Sequence, residues 1–189
     1  MILSGAEDLR VIKTIESIKD AFSQLLVQKE MNEITVTELC QLARINKKTF
    51  YRYYHSLEEL VGEMNQELTR DLLSRTKGLS LPEDLEEFSR IYLTFSAEQD
   101  QAFENFMRSG GLYPLRDRLV RDMTVEIWER SAQFRRLSRL EQDLLMAMTM
   151  GILLRAYQVW AADDKKQPIE TVAETAWRLL KNGIEGFFQ

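Results

Sequence analysis

The chain has 189 residues, 44% of them hydrophobic and 29% charged, an ordinary balance for a globular protein with a substantial core. No apolar run is long enough to cross a bilayer and no charged start leads into an apolar stretch, so neither membrane insertion nor export is expected. One cysteine forbids an internal disulfide and points to reducing cytoplasm, while a net charge of −5 argues against nucleic acid unless positive charge is concentrated locally.

Residues 8–29 predict an amphipathic helix. Val11, Ile15, Ile18, Phe22, Leu25 and Leu26 keep the 3.6-residue period, with Lys13, Glu16, Lys19 and Asp20 outside. Ile34 then closes a gap and is expected in a small core. From Thr35 the chain reads as two short helices across a tight turn. Thr35 and Thr37 are candidate N-caps, because a hydroxyl can accept an orphan backbone N–H. Leu39, Leu42 and Ala43 recur at helical spacing and are expected inside, with Cys40 a small buried residue. Asn46 caps the next helix after only Arg44 and Ile45. This is helix-turn-helix spacing, and its second helix is the one suited to a major groove.

That second helix, residues 47–54, has a distinctive composition. Lys47 and Lys48 fill its first turn, where the helix dipole disfavours cations and a bound polyanion would offset the cost. Arg44, Lys47, Lys48 and Arg52 place four positive charges between Arg44 and His55 with no acid among them. Phe50 and Tyr54 share the inner face, which leaves Lys47, Lys48, Tyr51 and Arg52 outside. Lysine and arginine can donate to guanine edges or phosphates; Thr49 and the tyrosine hydroxyls can donate to phosphates. A helix this short takes its geometry from packing.

The pattern T-V-x-x-L-x-x-x-A-x-I-x-x-x-T-x-Y-x-Y-Y, followed by a helix opening Ser-Leu-Glu-Glu, resembles the DNA-binding domain of the TetR/AcrR-type transcriptional regulators. Its matching positions are Thr35, Val36, Leu39, Ala43, Ile45, Asn46, Thr49, Phe50, Tyr51, Tyr53, Tyr54 and Leu60. The resemblance implies DNA contact at Thr37, Lys47, Lys48, Thr49, Tyr51, Tyr53 and His55; Asn46 and Arg52 complete the candidate set. Three positions depart from the family. Arg44 replaces its usual turn glycine, implying a slightly different turn. Lys48 replaces a small residue, and Leu57 a phosphate-contacting lysine.

Ser56 and Glu59 predict a capping box opening a long helix with Leu60, Val61, Met64, Leu68, Leu72 and Leu73 inside, stopped by Gly78. Pro82 fits the first turn of the next helix, whose stripe is Leu85, Phe88, Ile91, Tyr92 and Phe95. A short helix with Phe103, Phe106 and Met107 ends at Gly110 and Gly111. Another follows Pro114, with Leu119, Met123, Ile127 and Trp128 inward. Residues 144–154 are apolar almost all round, which calls for cover on every side and so for a second chain. Pro168 starts the last helix, and two such hairpins would make a four-helix bundle. The hairpin, with Gly151 and Trp160, also resembles the family's dimerisation hairpin. Candidate interface residues are Leu145, Met148, Ile152, Tyr157, Trp160, Trp177, Leu180 and Ile184.

No catalytic constellation is visible. His55 is the one histidine, which removes histidine-based triads and zinc sites, and no phosphate loop occurs. No metal or cofactor is implied. Tyr92, Phe95, Phe103, Phe106, Met107, Met123, Trp128, Met146, Met150 and Tyr157 suit an adaptable apolar pocket for an unknown small-molecule effector, and suit an ordinary core equally. The expected protein is all-α, with a three-helix DNA-binding domain over residues 1–56 and a helical ligand-binding and dimerisation domain over 57–189. It would act as a cytoplasmic homodimeric repressor on a double-stranded, pseudopalindromic operator. The alternative is a module of the same shape that docks on a protein.

Overall fold

The structure is a computed structural model that describes residues 6–108, 121 and 124–185. Every regular element among them is helical: α1 (Ala6–Gln28), a 3-10 turn (Met31–Glu33), α2 (Val36–Leu42), α3 (Lys47–Tyr53), α4 (Leu57–Arg75), α5 (Leu85–Ala97), α6 (Gln101–Arg108), α7 (residues 124–129), a 3-10 turn (Phe134–Arg136), α8 (Arg139–Ala162) and α9 (Ile169–Glu185). Gly110, Gly111, Pro114, Leu119 and Met123 lie outside the described residues, as does the side chain of Ile184.

Packing groups the helices into two compact units. The first holds the chain through Gln66 together with α6, and the second holds Glu67–Gln99 and the helices from α7 onward. This grouping differs from the functional division drawn at residue 56, because periodicity gives a helix's apolar face without naming the neighbour that covers it. α6 packs on α1, where Asn105 Nδ2 donates to the Leu26 carbonyl at 2.8 Å. It thereby satisfies one of the carbonyls that the end of α1 leaves without a helical partner.

The core of the first unit is Ile18, Phe22, Leu25 and Leu26 of α1 with Met31, Ile34, Leu39, Cys40, Ala43, Phe50, Tyr54 and Leu60, all buried. Leu42 is 41% exposed instead of inward: α2 is only two turns long, and Leu39, Cys40 and Ala43 already cover its contact with the base. Lys19 is not on the solvent side either. Its ammonium meets Glu63 Oε1 at 2.8 Å, and Tyr54 Oη donates to the same oxygen at 3.1 Å, so one carboxylate ties α1 and the end of α3 to α4.

In the second unit α5 is the central element. Leu85, Phe88, Ser89, Tyr92, Leu93, Phe95 and Ser96 are all buried, and α8 and α9 both pack on it. Ser89 and Ser96 donate to the carbonyls four residues back, at 2.7 and 2.8 Å, which lets hydroxyls enter an apolar layer. α5 begins at Leu85; Pro82 stands in the turn before it, not in its first turn. α8 is capped by Ser138, with Glu141 reaching back to complete the box. By length and composition α8 is sufficient to cross a membrane, which corrects the expectation that no segment reaches that size. Here it is a core helix, with Leu145, Met146, Met150, Leu153, Leu154 and Tyr157 buried.

Candidate nucleic-acid interface

Two caps fix the helix pair. Thr35 Oγ1 accepts the Glu38 N–H while the Glu38 carboxylate accepts the Thr35 N–H at 3.1 Å, so Thr35, not Thr37, opens α2. The carboxylate also meets Lys29 Nζ at 2.6 Å; that bond and the Thr35 donors hold its pKa at about 2, from the usual 4.5. Asn46 Oδ1 accepts both the backbone N–H of Thr49 at 2.8 Å and its hydroxyl at 3.1 Å, opening α3.

The turn between them departs from expectation. Arg44 has φ 55, the left-handed conformation that glycine adopts without strain. The Arg44 N–H donates to Gln41 O at 3.2 Å and the Ile45 N–H to Cys40 O at 2.9 Å, the bond pair of a Schellman ending. The turn is thus the one a glycine would make. Arginine adopts it here with the two backbone bonds made and Ala43 buried.

α3 hides its rings and shows its charges. Phe50 is fully buried and Tyr54 nearly so, with Tyr51 edge-on to Phe50 at 5.4 Å between centroids. Lys47, Lys48, Tyr51 and Arg52 are exposed, as are Thr37, Asn46 and His55; Thr49 and Tyr53 are half-buried. The Arg52 guanidinium lies 6.0 Å from the Tyr53 ring centroid. Arg44, Lys47 and Lys48 have no ion pair among the described residues.

The neighbouring carboxylates are engaged elsewhere: Glu38 with Lys29, Glu63 with Lys19, and Glu59 with His55. Glu59 also corrects the expected capping box. Its backbone N–H donates to Ser56 Oγ at 3.3 Å, but its carboxylate accepts the backbone N–H of His55 at 2.6 Å and meets His55 Nδ1 at 2.8 Å. It reaches one residue further back than the box requires, and those His55 contacts lower its pKa. The result is a capped, seven-residue helix whose solvent side is cationic and free of acid.

No protein-family model matches the chain. An uncharacterized HTH-type transcriptional regulator, YxbF of Bacillus subtilis (strain 168), is 30% identical over 78 residues; the match covers 41% of this chain and only 20% of that protein. A TetR transcriptional regulator from Streptococcus agalactiae 2603V superposes with a TM-score of 0.70 at 20% identity, over 92% of this chain and 97% of that one. FadR from Bacillus subtilis, solved in complex with stearoyl-CoA, does so at 0.57 and 14% identity, over 87% and 96%. The chain has the TetR-regulator fold.

In this TetR-type fold the remaining candidates separate. Tyr92, Phe95, Trp128, Met146, Met150 and Tyr157 are buried in the second unit, whereas Phe103, Phe106 and Met107 belong to the first with α6. They therefore do not form a single set within either unit. Trp128 Nε1 and Thr149 Oγ1, both fully buried in the second unit, have no hydrogen-bond partner among the described residues. Of the candidate interface residues, Met148 is 64% exposed and Ile152, Trp160 and Trp177 are half-buried. Leu145, Tyr157 and Leu180 are instead buried inside their own protomer. The exposed face belongs to residues the sequence reading omitted: Leu140, Leu144, Val159 and Leu179. A one-position error in helical phase separates Leu144 from Leu145, and an all-apolar segment carries no polar residue to set that phase.

Proposed function

We propose that this protein is a DNA-binding transcriptional regulator that acts as a homodimer on a pseudopalindromic operator and answers to a small-molecule effector. The observation that carries this reading is the outer side of α3 and the turn before it, where Arg44, Lys47 and Lys48 stand exposed and without an ion pair among the described residues while Glu38, Glu59 and Glu63 are held by other partners. A cationic surface of this kind supplies phosphate affinity, and a helix presented by its neighbours can bring side chains to base edges. Lys47, Lys48, Thr49, Tyr51, Arg52 and Tyr53 are the candidate contacts on α3, with Thr37, Asn46 and His55 at its borders. Asn46 serves chiefly as the cap, since its carbonyl oxygen already holds two donors.

The exposed stripe of Leu140, Leu144, Met148, Val159 and Leu179 supports self-association of the α8–α9 hairpin into a four-helix bundle. A two-fold pair of α3 helices would then read successive major grooves about 35 Å apart. The unmatched Trp128 Nε1 and Thr149 Oγ1 support a ligand with polar atoms in the second unit, where hydrogen-bond capacity is otherwise left unmet. α4 begins in the first unit and ends in the second, so it is the mechanical link by which an effector would alter groove spacing. The shift available is limited by the effector's differential affinity for the two states. Repression by occupancy is the default mode.

Selection of bound duplexes from a random pool tests this function. Enrichment of an inverted repeat with half-sites one helical turn apart supports it, and recovery of no sequence or a single unrepeated half-site counts against it.

A further inference from the structure

Beside the turn into α3 lies a cleft of about 450 Å³, lined among others by Arg10, Lys13, Thr14 and Ser17 of α1 and by Ala43 and Ile45. Ala43 and Ile45 flank Arg44, so the strained turn forms one wall. The lining includes two cations and two hydroxyls and no carboxylate. Ser17 Oγ donates to Ala43 O at 3.1 Å and Thr14 Oγ1 to Arg10 O at 2.7 Å, which fixes both hydroxyls. Arg10, Lys13 and Arg44 are all exposed, and none has an ion pair among the described residues.

Arg44 adds an independent observation. It occupies a backbone conformation that glycine takes freely and arginine takes at a cost. Its guanidinium makes no hydrogen bond among the described residues that would repay that strain. The exposed guanidinium is therefore available to a partner outside the chain.

Resting on the DNA-binding reading above, we infer that Arg10, Lys13 and Arg44 form a second phosphate-binding element, which holds the duplex backbone outside the groove read by α3. The cleft opens next to the first turn of α3, so a duplex engaged by Lys47 and Lys48 brings its flanking phosphates to these three cations. Because phosphate contacts carry no base information, the element adds affinity and salt dependence without adding sequence preference.

The test is fluorescence anisotropy with the selected duplex, across a salt series, for the intact protein, Arg44→Gly, the double variant Arg10→Ala/Lys13→Ala, and Lys47→Ala. The slope of log affinity on log salt becomes shallower by about 2 in Arg44→Gly and by about 4 in the double variant, because each of the two protomers loses one phosphate contact per substituted cation. The preference for the selected duplex over a scrambled one stays within about twofold in both, because neither loses a base contact. Thermal unfolding of Arg44→Gly has a midpoint at or above that of the parent, since glycine relieves the turn. Unchanged slopes in these variants, with the slope of Lys47→Ala reduced, overturn this element and leave the function standing. Absence of duplex binding by the intact protein overturns both. A lowered midpoint in Arg44→Gly refutes the assignment of Arg44 to DNA, because it shows that the side chain serves the fold.

Discussion

Residues 44–55 and the α8–α9 hairpin expose opposite chemistries. The first buries Phe50 and Tyr54 and leaves Arg44, Lys47 and Lys48 without an ion pair among the described residues; the second pairs Arg139 with Asp143 and Lys166 with Asp163 while leaving Leu144, Met148 and Leu179 exposed. An unpaired cationic surface is complementary to a polyanion, and an apolar stripe to another apolar stripe. Under the proposed function the first surface meets a duplex and the second its own copy, with few polar signals in the second to set its register.

The sharpest way to break this contrast is to remove the support beneath α3. Phe50→Ala empties a fully buried site, and urea denaturation is expected to show a loss of about 3–5 kcal/mol in the first unit. Sedimentation should still report the proposed dimer if the intact protein forms it, and its loss in the variant alone would show that the two surfaces are not independent. Conversely, Met148→Asp puts a charge on the exposed stripe. Forfeiting burial worth about 1.5–3 kcal/mol weakens self-association at least tenfold by sedimentation equilibrium. An unchanged dimer would remove the hairpin as the interface.

Smaller effects sharpen the account of how α3 is held. Asn46→Ala deletes the acceptor of the Thr49 N–H, and a loss of about 1 kcal/mol is expected, read by faster amide exchange in the first turn of α3. The smallest effect is that of Glu38. Its pKa is depressed to about 2 from 4.5, so its contribution is fully present above about 4.5 and is lost as pH falls toward 2. An acid titration of stability should therefore show the parent's advantage over Glu38→Gln vanishing across that window. An advantage that persisted at pH 2 would mean the Thr35–Glu38–Lys29 contacts act through geometry alone.

The helix pair was legible because its determinants are local. Caps at Thr35 and Asn46 and the inward pair Phe50 and Tyr54 depend on residues a few positions apart, and each occurs where expected. What escaped the sequence depends on neighbours. Leu42 reads as core by period, yet it is 41% exposed among the described residues. Phe103 and Phe106 read as part of a pocket with Phe95 and Trp128, but α6 packs on α1. Arg44 reads as a changed turn, while the two Schellman bonds impose the left-handed backbone whatever the side chain. In α8, Leu145 and Tyr157 exchange roles with Leu144 and Val159 because apolar residues on every side leave the phase unspecified, and in α9 Leu180 is buried where its neighbour Leu179 is exposed.

The most direct measurement of the central claim is the salt dependence of duplex binding by Lys47→Ala/Arg52→Ala, compared with the intact protein at equal dimer content. If the outer side of α3 meets DNA, the slope of log affinity on log salt becomes shallower by about 4, two cations being lost from each protomer, and discrimination against a scrambled duplex falls. An unchanged slope with unchanged discrimination would contradict the account and place the protein's partner elsewhere.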